Sequence, residues 1–490
     1  MRWAHVSSED IDREEFRLNA GFYLAEGQRK YGKPIDRRLD ECLDQLSQLQ
    51  TAKLGDLSRA ITLVSRFKRT YVSSPEFGTP FLSGTNITQF NSEPKFISKL
   101  LHQAEMPNYL VRMKDILVTR SGTVGNIAMV WNDWENWAVT EHAIRIVIDS
   151  SKIHPGYVLA FLNTEYAQAQ ILRFVHGSVV DEITDRQVAQ VLVPRLKREQ
   201  ENRIGETIFR AMELLSASKA MVMASIESLA KRIGNTSGSS VETGSSNKSN
   251  TGRYAIKTSD ELDRSEYHLR AGFYTSEGQR QFGFPAIRTL EESLAKMKDY
   301  QKEKLGESTR EIRLVKRFKR HYVKSPDFGF PFMSGKNITQ VAPSVKYLSS
   351  EMHKEDYETL KIEKGWVLVT CSGTVGRIAL VWDEWDGWAL TQHAIRIIPE
   401  EEHLPGGYLY AFLNTEFGQS QILRYVHGSV VDEITDKQIS NVLIPRLPPE
   451  EESAIASKVY AAYDQLRDSR RMTTRAVTIL SESITNHKSP

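Results

Sequence analysis

Two stretches of the chain carry apolar and small residues at alternating steps of four and three. In the first, Ile204, Ile208, Ala211, Leu215, Ser218, Val222, Ile226 and Leu229 keep this spacing with one slip near the end. In the second, Ile455, Val459, Ala462, Leu466, Ser469, Thr473, Val477 and Leu480 do the same. A sustained 3.5-residue period marks a coiled-coil seam, so helices are predicted over 198–232 and 449–487. At 1.5 Å per residue, about 35 residues make a rod near 50 Å. Ser218, Ser469 and Thr473 dilute the seam with hydroxyls. The expectation is therefore a short antiparallel pair formed by the two helices, not a long independent coiled coil.

Elsewhere the pattern is mixed. Asp115-Ile116-Leu117-Val118-Thr119 and Ile144-Arg145-Ile146-Val147-Ile148 are short and β-branched, as strands are. Pro155 to Phe174 predicts one helix, with Val158, Phe161, Leu162 and Tyr166 on its apolar face. Strands and helices in one stretch predict an α+β globule.

The chain then repeats itself. Gly21-Phe22-Tyr23 recurs as Gly272-Phe273-Tyr274, and Arg66-Phe67-Lys68-Arg69 as Arg317-Phe318-Lys319-Arg320, both at an offset of 251. The same offset carries Ser121-Gly122-Thr123-Val124-Gly125 onto Ser372 to Gly376, and His176 to Asp185 onto His427 to Asp436. A unit this long is a duplicated domain, not a solenoid repeat. Between the copies, Gly234 to Gly252 is rich in Ser, Gly, Asn and Thr and reads as a flexible linker. The expected layout is a globule over 1–197, a helix over 198–232, a linker over 233–253, a second globule over 254–448 and a second helix over 449–487.

With 40% hydrophobic and 26% charged residues, the 490-residue chain has the composition of a globular protein of two or three domains. Its net charge of +2 leaves room only for a local basic stripe. Cys42 and Cys371 stand alone in unrelated contexts, which argues against a disulfide framework or a cysteine-bound metal and fits a reducing cytoplasm. The first residues lack a signal-peptide pattern, and no run of about 18 apolar residues occurs.

Candidate chemistry is concentrated in a few segments. Arg66, Lys68 and Arg69 interleave with Phe67 and Tyr71, and Arg317, Lys319 and Arg320 with Phe318 and Tyr322. Such cations bind phosphates and read guanine edges while the aromatics anchor the segment; a solvated basic loop is the plainer alternative. The Ser-Gly-Thr-Val-Gly motif reads as a glycine-bearing turn, and its small residues would also let backbone N–H groups approach a phosphate. It is no nucleotide-binding loop, and the stretch from Gly329 to Lys336 has the wrong length and Asn337 where Ser or Thr is required. Trp131, Trp134 and Trp137, repeated as Trp382, Trp385 and Trp388, read as packing residues, with base stacking as the sharper alternative. His142 and His176, with His393 and His427, form no cluster at metal spacing. Asp181-Glu182 and Asp432-Glu433 read as acidic groups ahead of a helix start, or as the carboxylates of a nuclease. No amino-methylation motif, dinucleotide fingerprint, nucleophile elbow or Walker pair is present.

Ile183-Thr184-Asp185-Arg186-Gln187-Val188 leads to Val191-Leu192-Val193-Pro194-Arg195-Leu196, then to Glu199-Gln200 and Ile204. This run resembles the end of a target-recognition domain in the specificity subunits of type I restriction–modification systems. The second copy matches from Ile434 through Pro445-Arg446-Leu447 to Glu450 and Ile455, and Asp115 to Gly125 is similar to the same family. The resemblance covers nearly the whole chain. It implies two target-recognition domains, each followed by a helix of an antiparallel spacer, gripping the halves of a bipartite DNA site through the major groove. A rod near 50 Å would span about 15 base pairs. The implied partners are double-stranded DNA, DNA adenine methyltransferase subunits that hold S-adenosylmethionine, and a restriction or translocase subunit. The chain itself is expected to hold no cofactor or metal and no catalytic residue. Its DNA-binding candidates are Arg66, Lys68, Arg69, Asn86, Arg120, Ser121 and Thr123, then Arg317, Lys319, Arg320, Asn337, Ser372 and Thr374.

Three features depart from the family pattern. Glu450-Glu451-Glu452 lacks the Gln found after Glu199, the linker is long, and the copies are unusually alike. Similar half-sites are therefore expected, with differing base contacts sought in 40–59 and 89–114 against 291–310 and 340–364. A free-standing pseudo-dimeric nucleic-acid-binding regulator is the alternative reading.

Overall fold

The computed structural model describes residues 35–72, 75–90, 94–103, 106–175, 182–234, 295–343, 345–426 and 433–486. The Gly-Phe-Tyr pair, most of the linker, His176, His427, Asp181 and Asp432 lie outside the described residues. Two units are present: Met1–Ser216 with Asp468–Pro490, and Ala217–Arg467.

In the first unit the strands are β1 (Thr51–Lys53), β2 (Ser58–Leu63), β3 (Tyr71–Val72), β4 (Gly78–Leu82), β5 (Lys95–Ser98), β6 (Ile116–Thr119), β7 (Ile127–Met129), β8 (Ala138–Val139), β9 (Ala143–Ile148) and β10 (Leu192–Pro194). They form two four-stranded sheets, ordered β2-β9-β6-β7 and β3-β5-β4-β8, and a β1-β10 ribbon. Only β4 and β8 pair in parallel among these strands.

The uninterrupted apolar run of β6 has a physical cause. Ile116 and Val118 face a core with Ile144 and Ile146, while Leu117 faces the other way into a core with Phe81, Ile97 and Trp134. A strand buried on both faces has no polar side to show. Helices Pro155–Leu162 and Glu165–Arg173 cover the first face. The sequence predicts one helix here, and the chain breaks it at Thr164. That residue is extended, its hydroxyl accepts from Ala167 N at 3.4 Å and donates to Phe161 O at 2.6 Å, so it caps a new helix instead of continuing the old one.

The two predicted long helices are Arg198–Gly234 and Pro449–Thr485. Within the first unit, Ile204 and Ile208 of one join the same core as Ala476, Leu480 and Ile484 of the other. Ser469 Oγ donates to Ala211 O at 2.6 Å, and Tyr166 meets Thr485 at 2.7 Å. Residue numbers fall along one helix as they rise along its partner, so the pair is antiparallel. The heptad spacing places Val477 in the seam, but Ala476 is buried there and Val477 is half-buried. The slip follows from 3.6 residues per turn, which drifts from a strict 3.5 repeat.

The second unit repeats this plan. Its strands are β11 (Lys302–Lys304), β12 (Thr309–Arg313), β13 (Tyr322–Val323), β14 (Gly329–Met333), β15 (Lys346–Ser349), β16 (Val367–Thr370), β17 (Ile378–Leu380), β18 (Ala389–Leu390), β19 (Ala394–Pro399) and β20 (Leu443–Pro445). They are ordered β12-β19-β16-β17, β13-β15-β14-β18 and β11-β20. Ser218 Oγ donates to Ala462 O at 2.6 Å and Arg232 pairs with Glu451 at 3.1 Å, again antiparallel. By composition alone, Ser218 and Ser469 dilute the seam. In the structure they are buried donors to a backbone carbonyl of the facing helix.

The arginine at one shared position is treated differently in the two units. Arg145 Nε meets Asp115 at 2.6 Å, and Asp115 also accepts from Arg112 N. Trp366 stands where Asp115 does, and Arg396, fully buried, donates instead to Leu360 O, Leu390 O and Ala394 O. Burial, with Arg313 nearby, pulls its pKa down to about 9.

Leu480→Ala should cost about 2–5 kcal/mol, and in thermal unfolding the loss should fall on the first unit; an unchanged melting curve would contradict the shared core. Arg145→Met should cost about 3–5 kcal/mol because Asp115 stays buried without its partner. Adding Asp115→Asn should recover part of that loss in urea unfolding, and a double variant no more stable than the single one would refute the pairing.

Candidate nucleic-acid interface

The basic segment of the first unit has no regular structure and is held by its aromatics. Phe67 stacks on Tyr109 with ring centres 4.3 Å apart and meets His102 edge-on at 5.4 Å. Thr70 N donates to His102 Nε2 at 3.3 Å. With Phe67 turned inward, Arg66 and Lys68 on either side point to solvent, and the Arg66 side chain is 73% exposed. In the second unit Phe318 meets His353 at 5.7 Å, His321 N donates to His353 Nε2 at 3.1 Å, and the Arg317 side chain is 82% exposed. Lys319 is likewise exposed.

Behind these cations lies a polar cluster. Arg69 packs over Phe81, hydrogen-bonds Thr140 at 3.4 Å and forms an ion pair with Glu141. Arg120 meets Glu182 at 2.6 Å, and Arg66 reaches the same carboxylate at 3.8 Å. Ser121 Oγ and His142 Nδ1 lie 2.6 Å apart. An isolated bridge ties Ser121 to Glu182, so the glycine-bearing turn, the 140–142 turn and the basic segment converge. Gly122 and Gly125 take φ of +80° and +88°, the left-handed region that this turn needs between β6 and β7. Thr123 is exposed at its tip, and its carbonyl accepts from Thr119 Oγ1 at 2.5 Å. Asn86 shapes the neighbouring loop, accepting from Ser83 N at 2.9 Å, and Gly84 of that loop lies against His142.

The second unit keeps this frame but changes its charges. Ser372 Oγ and His393 Nδ1 are again 2.6 Å apart, and Thr374 is exposed at the turn tip. Asn337 is buried, with its amide on Ser334 and Gln340. Gln392 replaces Glu141, so Arg320 has a neutral partner at 2.7 Å in place of a carboxylate. Cys371 replaces Arg120, leaving Arg317 as the nearby cation of Glu433 at 4.0 Å. Burial, then Glu433, pushes the Cys371 thiol up to about 12, so it stays neutral. Burial and the adjacent Arg320 and Arg317 hold His393 below its ordinary value.

The structure thus brings Arg66, Arg69, Arg120 and Ser121 together, and Arg317, Arg320 and Ser372. Lys68 and Lys319 stand in solvent beside them, and Thr123 and Thr374 at the turn tips. Sequence reasoning misses Glu141 and Gln392, whose signal is the recurring Thr-x-His triplet at 140–142 and 391–393. The sequence presents Glu182 as an acid ahead of a helix start. It does stand ahead of helix Asp185–Ala189, where its carboxylate also pairs with Arg120, while Thr184 caps that helix through a capping box with Gln187.

Each unit thus displays exposed cations on an aromatic footing, with an arginine held behind them by Glu141 in one and by Gln392 in the other. Residues 315–471 match the family described as "Type I restriction modification DNA specificity domain", and the 251-residue offset makes 64–220 their counterpart. Over 315–471 the chain carries the DNA specificity domain of type I restriction–modification systems. Among solved structures, it is similar to the S subunit of a type I restriction–modification system from M. genitalium, at 11% identity and a TM-score of 0.33, over 89% of this chain and 94% of that one. It is also similar to the HsdS subunit from Thermoanaerobacter tengcongensis, at 14% identity and a TM-score of 0.28, over 90% and 97%. No curated protein sequence matches the chain at a significant level.

The Arg69–Glu141 pair gives a pH test. Burial raises the Glu141 pKa, but the Arg69 hydrogen bond and charge outweigh it and leave the carboxyl below its ordinary 4.5. A depressed carboxylate stabilises the fold above its unfolded value and loses that contribution as pH falls through its folded value. Glu141→Gln should therefore be less stable than the parent at neutral pH, with the gap closing in acid; a gap independent of pH in urea unfolding would contradict the pair.

Proposed function

We propose that each unit reads one half of a bipartite DNA site. Target-recognition domains over 1–197 and 254–448 would do the reading, and the helices over 198–232 and 449–487 would set the spacing. The observation that supports this is the recurrence, in both copies, of a basic segment turned outward by an inward phenylalanine. Arg66, Lys68, Arg69, Asn86, Arg120, Ser121 and Thr123 form the contact set of the first copy. Arg317, Lys319, Arg320, Asn337, Ser372 and Thr374 form that of the second. Exposed Arg66, Lys68, Arg317 and Lys319 take phosphates, while the turn residues and the arginines behind them face the base edges.

The chain works without catalysis of its own, in the cytoplasm. A partner DNA adenine methyltransferase, holding S-adenosylmethionine, docks on the helices and modifies an adenine. A restriction or translocase subunit completes a defence complex. Since the two copies share most of this frame, the two half-sites resemble one another.

Modification-sensitive long-read sequencing of host DNA, with and without the gene, tests the reading. A bipartite methyladenine motif should vanish with the gene; an unchanged pattern in a host that expresses the methyltransferase removes the assignment. On a duplex carrying that motif, Lys68→Ala or Arg66→Ala should weaken binding evenly across sequences. Each should also lower the slope of log affinity against log salt by about 1. An unchanged slope would take that residue off the phosphate contacts.

A further inference from the structure

The small sheet of each unit ends in an apolar tip that the reading above does not use. In the first unit β3 and β4 both run antiparallel to β5, with Tyr71 and Thr79 each opposite Ile97. The starts of β3 and β4 therefore lie at the same sheet end as the finish of β5. That end carries the basic segment before Tyr71, Phe77 before Gly78, and Lys99 to Leu101 after Ser98. Lys99 N donates to Phe77 O at 2.9 Å, and Lys99 Nζ to Glu76 O at 3.2 Å, which holds the two loops side by side. Ser98 N donates to Thr70 O at 2.9 Å, and His102 accepts from Thr70 N, which ties both loops to the cations.

Phe77 and Leu101 nevertheless face water, 67% and 64% exposed. The second unit has the same arrangement: Phe328 is 67% and Met352 57% exposed, with Ser350 N on Phe328 O at 2.9 Å. Large apolar side chains held in solvent on a fixed footing are costly to display and mark a contact surface. Here the tip recurs at corresponding positions, although Glu351 replaces Leu100 beside it. In both units it is fastened to the segment whose cations attract phosphate.

We infer that Phe77 with Leu101, and Phe328 with Met352, are wedges that enter a DNA groove beside the phosphate contacts and prise open a base step, bending the duplex. Phe, Leu and Met are side chains that unstack base pairs in this way, and the cost of unstacking is offset because bent DNA wraps more of the protein surface. The inference rests on the DNA-reading function proposed above and adds a bend at each half-site to it. Part of the specificity would then come from how easily the wedged step deforms, with no hydrogen bond to its bases.

The test uses the full chain and a duplex carrying the mapped motif, labelled at both ends so that energy transfer reports the bend. The double variant Phe77→Ser, Leu101→Ser should keep the parental melting temperature, bind about tenfold more weakly and bend the duplex less. Phe77→Trp, which keeps a wedge, should retain both affinity and bend. Affinity and bend unchanged in the double variant, while Lys68→Ala still weakens binding, overturns the wedge and leaves the DNA-reading face standing. No effect from either variant removes that face and the wedge together. Loss of methyltransferase co-purification with unchanged DNA bending assigns the tip to a protein partner and also overturns the inference.

Discussion

The first unit closes its core with Ala476, Leu480 and Ile484, side chains from the far end of the chain. Everything else in that unit depends on this closure. Strand β6 can be apolar on both faces because helices cover one of them, and those helices are themselves backed by the antiparallel pair. The Tyr166–Thr485 contact joins residues 319 positions apart. Contacts of such separation form late, because the loop between them must close before they stabilise anything. The seam serines make the closure specific: a small residue lets the backbones approach, and its hydroxyl finds a carbonyl only in the correct register.

The basic face rests on a division of labour between aromatic and charged groups. Phe67 and Phe318 sit partly buried and fix the direction of the chain, so neighbouring cations are displayed without needing regular structure. The arginines behind them are tuned by the group opposite. Glu141 neutralises Arg69, whereas Gln392 holds Arg320 in place and leaves its charge uncompensated. Two units built on one frame thus differ in field more than in shape, and the charge of this face can change without moving the backbone.

The large periodicities were legible in the sequence. A 3.5-residue seam announced both long helices, and the 251-residue offset announced two units of one topology. Local chemistry was harder to read. Thr164 splits a run whose apolar spacing is continuous, because a capping hydroxyl can end a helix without disturbing the pattern around it. Ala476 displaces Val477 from the seam since an alanine carries little signal in a hydrophobic pattern. The candidate cations and turn residues were visible as types, whereas their partners Glu141 and Glu182 were not. Those pairings join positions 72 and 62 residues apart and depend on how the turns converge.

The exchange of helix ends also says something about how such a chain could arise. Each unit holds one globular part and a stretch of helix from both repeats. A gene encoding a single repeat would therefore specify every surface required, but only across two molecules of its product. Two identical chains, each lending the end of its helix to the other, would complete both units. Fusion of two such genes frees the halves to diverge one side chain at a time, as Gln392 against Glu141 and Cys371 against Arg120 already have.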